Sequence, residues 1–105
     1  MPMRRLQDKT TRELMWIYVL NLLQKRPMYA YEIRNEIYKR FGWKPPMVTS
    51  YTVLYRLKRK GYVKTEWQQQ RGRPPRKYYK ITPKGKKLMR DAKRYLEDMQ
   101  MKLFT

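Results

Sequence analysis

Cysteine and histidine are both absent from the 105-residue chain, and only four residues are glycine. Their absence removes the usual nucleophilic thiol, the usual general base and the nitrogen ligands of most metal sites. It also removes any disulfide framework, which is typical of a protein in a reducing cytoplasm. The eight carboxylates form no predicted acid–base pair, and no glycine-rich phosphate loop with its lysine is present. We therefore expect no enzyme activity, no metal and no cofactor.

Long apolar runs are missing as well. A membrane-spanning helix needs ~18 or more consecutive apolar residues, and no segment of the chain reaches that length. The first residues lack the apolar stretch and small-residue cleavage site of a signal peptide. Apolar residues still make up 41% of the chain, enough for the core of one domain with an appended arm or helix. We expect a cytoplasmic protein with no membrane partner.

Negative charge is scarce, whereas positive charge is abundant: 27 Lys and Arg face eight acids, giving a net charge of +19. A charge of this size repels itself in the folded chain and favours a polyanionic partner, for which nucleic acid is the leading candidate. An acidic protein or membrane surface is the minor alternative. From Arg56 to Arg90 there are fourteen basic residues and one acid, whereas from Asp91 onward there are three of each. We expect the first of these segments, and not the second, to face the polyanion.

The first part of the chain predicts an arm followed by a helix. Residues 1–9 show no hydrophobic periodicity, so we expect a flexible N-terminal arm. Thr10 and Glu13 have the spacing of a capping box, which predicts that a helix begins at Thr10. From Leu14 to Leu23 every position but one is apolar. Since a helix packed on one side needs only an apolar stripe, we infer that a second surface from outside the domain covers this helix.

The next two segments have helical spacing. Residues 29–42, YAYEIRNEIYKRFG, place apolar side chains every three or four positions and end on Gly42, a good C-terminal stop. A third helix is predicted from roughly Pro46 to Lys60. At about 100° per residue, one face of this helix carries Tyr51, Leu54 and Leu57. The opposite face is polar and basic and carries Thr49, Thr52, Val53, Arg56 and Arg59.

Two strand-like runs and a last helix complete the chain. Residues 62–68 and 76–82 are rich in β-branched and aromatic types, which predicts a hairpin with a long loop. Thr82 and Pro83 have the sequence of an N-cap and a first-turn proline. The final helix carries an apolar seam at three- and four-residue spacing: Leu88, Ala92, Tyr95, Met99 and Leu103.

The order of these elements predicts the fold class. Two short helices joined by a turn and followed by a basic hairpin have the layout of a winged helix-turn-helix. We expect a mainly α protein with a small β-hairpin wing, in which residues 10–82 form the winged helix-turn-helix domain. Residues 83–105 would form a C-terminal dimerisation helix, since their apolar seam with neutral flanks is typical of a partner surface.

Candidate DNA contacts lie on the third predicted helix and in the hairpin loop. Three short polar side chains of the helix are placed to reach base edges or phosphates: Thr49, Ser50 and Thr52. Val53 can pack on a thymine methyl, and Arg56 can form a bidentate contact with guanine. In the loop, Gly72 and the prolines favour an extended, side-chain-poor backbone that fits a groove. Three arginines there can follow phosphates or enter the minor groove: Arg71, Arg73 and Arg76. A solvated surface is the alternative interpretation for each residue.

Aromatic residues indicate one further candidate site. Trp16 and Tyr18 on the first predicted helix, with Tyr95 and Met99 on the last, are candidates for an effector pocket between two subunits. A packed dimer core is the alternative interpretation of these four side chains. For the tandem Tyr78 and Tyr79 of the second strand, strand alternation predicts that one faces the core and the other faces outward.

Three stretches of the chain resemble the PadR family of transcriptional regulators. YAYEI at residues 29–33 is similar to the start of the second helix in that family. TSYTVLYRLKRKGYV at 49–63 has the family's spacing of Tyr51, Leu54, Leu57 and Gly61. GRPPRKYYKITPKG at 72–85 resembles the family's wing, with matches at Gly72, Lys77, Tyr78, Tyr79, Thr82 and Gly85.

The resemblance implies a homodimeric DNA-binding repressor of the short type with a single C-terminal helix. Dimerisation would join that helix of one protomer to the first helix of the other, through Leu14, Ile17 and the seam residues. The resemblance also implies that double-stranded DNA is contacted by Tyr31, Thr49, Ser50 and Lys77, with Tyr51 either a contact or core. It further implies an aromatic small-molecule effector.

The large net charge leaves a second hypothesis open. A basic architectural or RNA-associated winged-helix protein with little sequence preference would need the same excess of Lys and Arg. Binding to phosphates alone carries no sequence information, so composition does not separate this hypothesis from a sequence-specific regulator.

Overall fold

The computed structural model describes all residues 1–105 and contains five helices and one three-stranded antiparallel sheet of order β1-β3-β2. The helices are α1 (Pro2–Lys9), α2 (Met15–Leu23), α3 (Ala30–Phe41), α4 (Met47–Arg59) and α5 (Pro83–Phe104). The strands are β1 (Met28–Tyr29), β2 (Val63–Gln68) and β3 (Arg76–Ile81). The predicted mainly α winged helix-turn-helix with a small hairpin wing is confirmed.

The core lies where α2 meets α3, α4 and the sheet. The core contains fourteen buried apolar side chains, and helix α2 contributes five of them: Met15, Val19, Leu20, Leu22 and Leu23. Helix α3 adds Ala30, Ile33 and Ile37, and α4 adds Leu54 and Leu57. These positions follow the three- and four-residue spacing that turns one helix face inward. No helix is both long and apolar enough to cross a membrane.

The predicted ends of α3 and α5 are confirmed. Gly42 adopts a left-handed conformation with φ of 78° directly after α3, and its N–H donates to the Tyr38 carbonyl at 3.0 Å. At the start of α5, Thr82 Oγ1 accepts a hydrogen bond from the Gly85 N–H at 3.1 Å, with Pro83 in the first turn. The end of α3 and the start of α5 both depend on local backbone chemistry, which explains why the sequence predicts them well.

The N-terminal region differs from the prediction. Residues 1–9 were expected to form a flexible arm, but Pro2–Lys9 form α1, a helix with no buried residue. Besides Pro2, only Met3 and Leu6 of α1 are apolar, and one such pair in eight residues is too short a pattern to predict a helix. The predicted cap at Thr10 is also wrong. Thr10 Oγ1 donates backward to the Leu6 carbonyl at 2.7 Å and ends α1, whereas α2 begins later, at Met15.

Strand β1 was not predicted. It contains only Met28 and Tyr29, which pair antiparallel with Tyr79 and Tyr78 of β3. Two residues are too short for an alternating pattern, so this strand exists only because β3 offers it a partner. The strand alternation of the tandem tyrosines holds, since Tyr79 is buried and Tyr78 lies half-buried with its ring against Tyr29.

The whole molecule measures 55 × 31 × 21 Å, and helix α5 extends beyond the rest of it. Its first turns contact α2 and β3, with Leu88 and Met89 packed against the core cluster. Its later turns leave large apolar side chains exposed: Tyr95, Leu96, Met99, Met101, Leu103 and Phe104.

Candidate nucleic-acid interface

Helix α4 has one buried face and one free face. Ser50, Leu54 and Leu57 are buried and define the side that packs on the domain. Opposite them is the outer face of α4, which we define by five exposed residues: Val48, Thr52, Tyr55, Arg56 and Arg59. Tyr55 and Arg59 of this outer face line one groove together with Lys77 and Tyr79 of β3, so the outer face lies beside the wing.

The prediction that Ser50 contacts DNA is corrected by the structure. Ser50 is 1% exposed, and its hydroxyl donates to the Pro46 carbonyl at 2.9 Å, one turn back in the same helix. A small polar side chain that bonds to its own helix can be buried at little cost, so the polarity of Ser50 did not indicate an exposed position.

Two other predicted contacts on α4 are less exposed and lie beside the outer face. Thr49 and Val53 are half-buried and line an open groove of about 600 Å³ between α4, α5 and the segment leading into α2. Val53 packs against the core cluster beside Trp16 and Leu88. Its partial burial leaves less of the side chain available for the thymine contact that the sequence suggested for Val53.

A second groove separates α4 from the wing. It is lined by Tyr51, Tyr55, Lys58, Arg59, Lys77 and Tyr79. The Lys77 ammonium lies 5.7 Å from the centre of the Tyr79 ring. Burial, together with the neighbouring Tyr51 phenol, raises the pKa of Tyr79 above its ordinary value.

Tyrosines contribute more to this surface than the sequence indicated. Tyr51, assigned by helical angle to the core face, is 52% exposed, and Tyr55, which no motif singled out, is 62% exposed. Tyr31, the contact implied by the resemblance, is exposed near the start of α3. Helical spacing alone could have placed Tyr55, had Ser50 been recognised as the centre of the buried face.

The loop between the wing strands carries two arginines with free side chains, and a third arginine stands at the start of β3 against an aromatic ring. Arg71 and Arg73 are exposed, and Gly72 between them has a φ of 75°, a left-handed conformation that favours glycine. The Arg73 carbonyl accepts a hydrogen bond from Gln69 Nε2 at 2.8 Å, which helps order the loop. Arg76 stacks 4.5 Å from the centre of the Tyr29 ring, so its guanidinium is positioned by the sheet.

The basic side chains of α4 and the wing have no acidic partners. The four ion pairs of the molecule are Lys9–Glu13, Arg26–Glu32, Lys87–Asp91 and Lys102–Asp98. None of them involves α4, β2, β3 or the loop between the strands. The cations of this surface are therefore free to bind anions from outside, as the uneven charge distribution predicts.

The four residues of the predicted effector pocket are not gathered within one protomer. Trp16 lines the groove beside Leu88, but Tyr18 packs edge-on against Phe41 and Trp43 and donates its hydroxyl to the Thr10 carbonyl at 2.8 Å. Tyr95 and Met99 are exposed on the later turns of α5. No cluster of three or more acidic side chains is close enough to hold a metal ion.

The predicted dimerisation residues differ in how far they are buried. Leu14 and Ile17 of the α2 region are half-buried, as are Leu88 and Ala92 in the first half of α5. Tyr95, Met99 and Leu103 are exposed farther along α5. The seam on α5 therefore continues from the core of its own domain out to an uncovered apolar face.

The chain matches the family model described as the transcriptional regulator PadR-like family over residues 19–91. A PadR-like transcription factor from Bacteroides fragilis is 26% identical, with a TM-score of 0.80 and coverage of 94% of this chain and 95% of that one. A transcriptional regulator from Clostridium thermocellum is also 26% identical, with a TM-score of 0.81 and coverage of 90% and 91%.

A third similar structure is that of Bacillus subtilis PadR in complex with operator DNA, which is 24% identical with a TM-score of 0.68. That match covers 74% of this chain and 46% of that one, and it shows a shared fold. No curated protein matches the chain. Since the matching family model extends from α2 through α4 and the wing into α5, the chain belongs to the PadR-like family of transcriptional regulators.

Proposed function

We propose that this regulator is a dimeric repressor that binds a palindromic operator in double-stranded DNA. The outer face of α4 would enter the major groove, and the wing would lie along the backbone or in the adjoining minor groove. The observation that carries the proposal is the surface formed by α4 and the wing, whose cations have no carboxylate partner. The Bacillus subtilis PadR complex with operator DNA supports it through the shared fold.

Side-chain chemistry on this surface suits both kinds of DNA contact. Arg56 and Arg59 can form bidentate hydrogen bonds with guanine or with phosphates. Arg71, Arg73 and Lys77 supply phosphate contacts that position the protein without reading sequence. The exposed hydroxyls of Tyr31, Tyr51 and Tyr55 can donate to phosphate oxygens. Ser50 has no place in this proposal because its side chain is buried.

Dimerisation is supported by the uncovered apolar face of α5. Exposed apolar side chains cluster on the last turns of α5, where basic and acidic residues balance, so charge repulsion between two copies is small there. A partner's α5 packed on this face and on Leu14 and Ile17 would supply the second cover inferred for α2. A two-fold dimer implies operator half-sites about 34 Å apart, one helical turn of DNA. A cytoplasmic location follows from the proposed action on DNA.

An aromatic effector remains part of the proposal, and a groove within one protomer offers a second place for it besides the pocket between subunits. The groove beside Trp16 has a volume in the range of small-molecule sites, with Val53, Leu57 and Leu88 as its apolar lining. Thr52 and Arg56 line the same groove and also belong to the outer face of α4. An aromatic ligand there would compete with DNA for these side chains, and loss of operator binding on addition of an aromatic acid would test it.

The principal test is a salt-dependent titration of labelled duplex from the DNA upstream of the gene. Scrambled duplex and structured RNA serve as competitors, and Arg56→Ala is compared with Arg94→Ala, which makes the same charge change on α5. We expect a fixed footprint, a preference of ~10³ or more over scrambled DNA, and a loss of ~1–3 kcal/mol for Arg56→Ala alone.

Two other outcomes would contradict this proposal. Near-equal binding to all duplexes that collapses steeply with salt would favour the architectural protein instead. Preference for the RNA competitor would indicate an RNA-binding protein and not a regulator of transcription.

A further inference from the structure

We propose that Val48 recognises the 5-methyl group of thymine in the major groove. This inference rests on the proposed function, and it transfers to Val48 the role that sequence spacing had suggested for Val53. It names a specificity-determining residue that no motif of the chain indicates. It also predicts that one operator position in each half-site contains a thymine whose methyl group contributes to affinity.

Val48 is more exposed than the other valines of the chain, although it also lines the groove beside Trp16. The chain has four valines: Val19 and Val63 are buried in the core, and Val53 is half-buried against it. Val48 is 79% exposed. A β-branched side chain is also a poor choice for an exposed helical position, because a helix restricts its rotamers. Neither packing in the core nor helix stability accounts for valine at this position.

The location of Val48 suits contact with base edges. It lies in the first turn of α4, and helix-turn-helix proteins contact bases mainly through the N-terminal residues of this helix. The N-cap of α4 is Pro46, which makes no side-chain capping bond, so no cap side chain covers the first turn. A small apolar group here can approach the floor of the groove while longer basic side chains reach the backbone.

Thr52 extends the apolar character of this position by one turn. Its hydroxyl donates to the Val48 carbonyl at 2.9 Å, so its proton is already engaged within the helix. What Thr52 offers a partner is its methyl group and an acceptor oxygen. Val48 and Thr52 together form a small apolar surface on the outer face of α4, where the next charged residues are Arg56 and Arg59.

This combination identifies the partner chemistry. Arginines without carboxylate partners attract phosphates, so the apolar surface is brought against a polyanion rather than an apolar protein surface. Within the major groove of duplex DNA, the thymine 5-methyl is the apolar group on the base edges. Uracil lacks this methyl, so the same contact would favour DNA over RNA of the same sequence.

The test replaces single thymines by deoxyuridine, which deletes only the methyl group. Three proteins are compared: wild type, Val48→Ala and the isosteric Val48→Thr. Each is titrated with the footprinted duplex and with its deoxyuridine versions. Each is also titrated with one duplex that contains only A·T pairs and one that contains only A·U pairs. One lost methyl contact corresponds to about fourfold in affinity. We expect wild type to lose about fourfold at one thymine of each half-site, Val48→Ala to show no thymine–uracil difference, and Val48→Thr to fall between them.

Melting curves of the variants check that folding is unchanged, as expected for a side chain so exposed. Equal wild-type affinity for thymine and uracil at every position would overturn the inference. So would a Val48→Ala protein that keeps the full difference. Equal binding to operator and scrambled duplex would instead contradict the proposed function. In that case, comparison of the duplexes that contain only A·T or only A·U pairs would still test the role of Val48.

Discussion

Gly85, in the first turn of α5, lies directly against the backbone carbonyl of Tyr62 at the start of the hairpin. A β-carbon built at Gly85 would overlap the Tyr62 carbonyl oxygen and would lie 2.8 Å from Ile81 Cγ1. Only a residue without a side chain permits this approach. The contact fixes where the long helix α5 leaves the domain, and with it the direction of the uncovered apolar face.

Gly85→Ala should therefore destabilise the protein, although alanine is favoured over glycine inside a helix by about 1 kcal/mol. The overlap with backbone cannot be relieved by a side-chain movement, and overpacking of this kind costs about 3 kcal/mol. Urea unfolding of Gly85→Ala and of Lys86→Ala, an exposed position in the same turn, measures the difference. A Gly85→Ala protein as stable as the control would show that α5 can shift away from the hairpin.

Thr82 joins the same two elements by hydrogen bonds. Its hydroxyl donates to the Gly61 carbonyl at 2.7 Å and accepts from the Gly85 N–H at 3.1 Å. Thr82→Val keeps the shape but removes both bonds, and we expect a loss of about 1–2 kcal/mol in the free energy of unfolding. Thr105→Val removes only a bond to Met101 at the end of α5 and should change stability little. Equal effects from the two variants would argue that the Thr82 cap is unimportant.

Arg73 in the wing loop should act on DNA through charge alone. Arg73→Ala is expected to weaken binding to operator and scrambled duplexes by the same factor. It should reduce the slope of log affinity against log salt by about 0.9, the effect of one lost phosphate contact. Fluorescence titrations at several salt concentrations give the slope, with Arg94→Ala as the charge-matched control. An unchanged slope would mean that the wing does not contact phosphates.

Met99 lies on the exposed apolar face of α5. Met99→Glu places a charge on this face, and burying that charge between two copies would be costly. The variant should be a monomer by light scattering at concentrations where wild type is a dimer, with reduced operator affinity. Lys93→Glu introduces the same acid outside the seam and should remain dimeric. A dimeric Met99→Glu protein would place the interface elsewhere.

Two of the ten tyrosines should titrate at unusually high pH. Burial raises the pKa of both Tyr18 and Tyr79 above the ordinary value of 10.0. Since the folded state disfavours the phenolate, their contribution to stability is complete below pH 10.0 and declines as pH rises through the raised pKa. Phenolate absorbance should show a late phase that shrinks in Tyr79→Phe. A single phase unchanged by that substitution would contradict the burial of Tyr79.

The amino-acid sequence alone determined the features that depend on neighbouring residues or on composition. The Gly42 stop, the Thr82 cap and the alternating pattern of β3 are all local, so the order of α2, α3, α4, the hairpin and α5 follows from the sequence. The scarcity of acids between Arg56 and Arg90 likewise indicates a polyanionic partner, because net charge depends on composition and not on folding. Helix α1 was not predicted because its single apolar pair, Met3 and Leu6, is too short a pattern to indicate a helix.

Only the tertiary structure decided which side chains those elements present. On α4 the burial of Ser50 sets the helix rotation, which exposes Val48 and Tyr55 and turns Val53 toward the groove. Periodicity defines the angles between residues of a helix, but the packing partners fix the rotation of the whole helix about its axis. Strand β1 is decided in the same way, because Met28 and Tyr29 become a strand only where β3 supplies the hydrogen bonds.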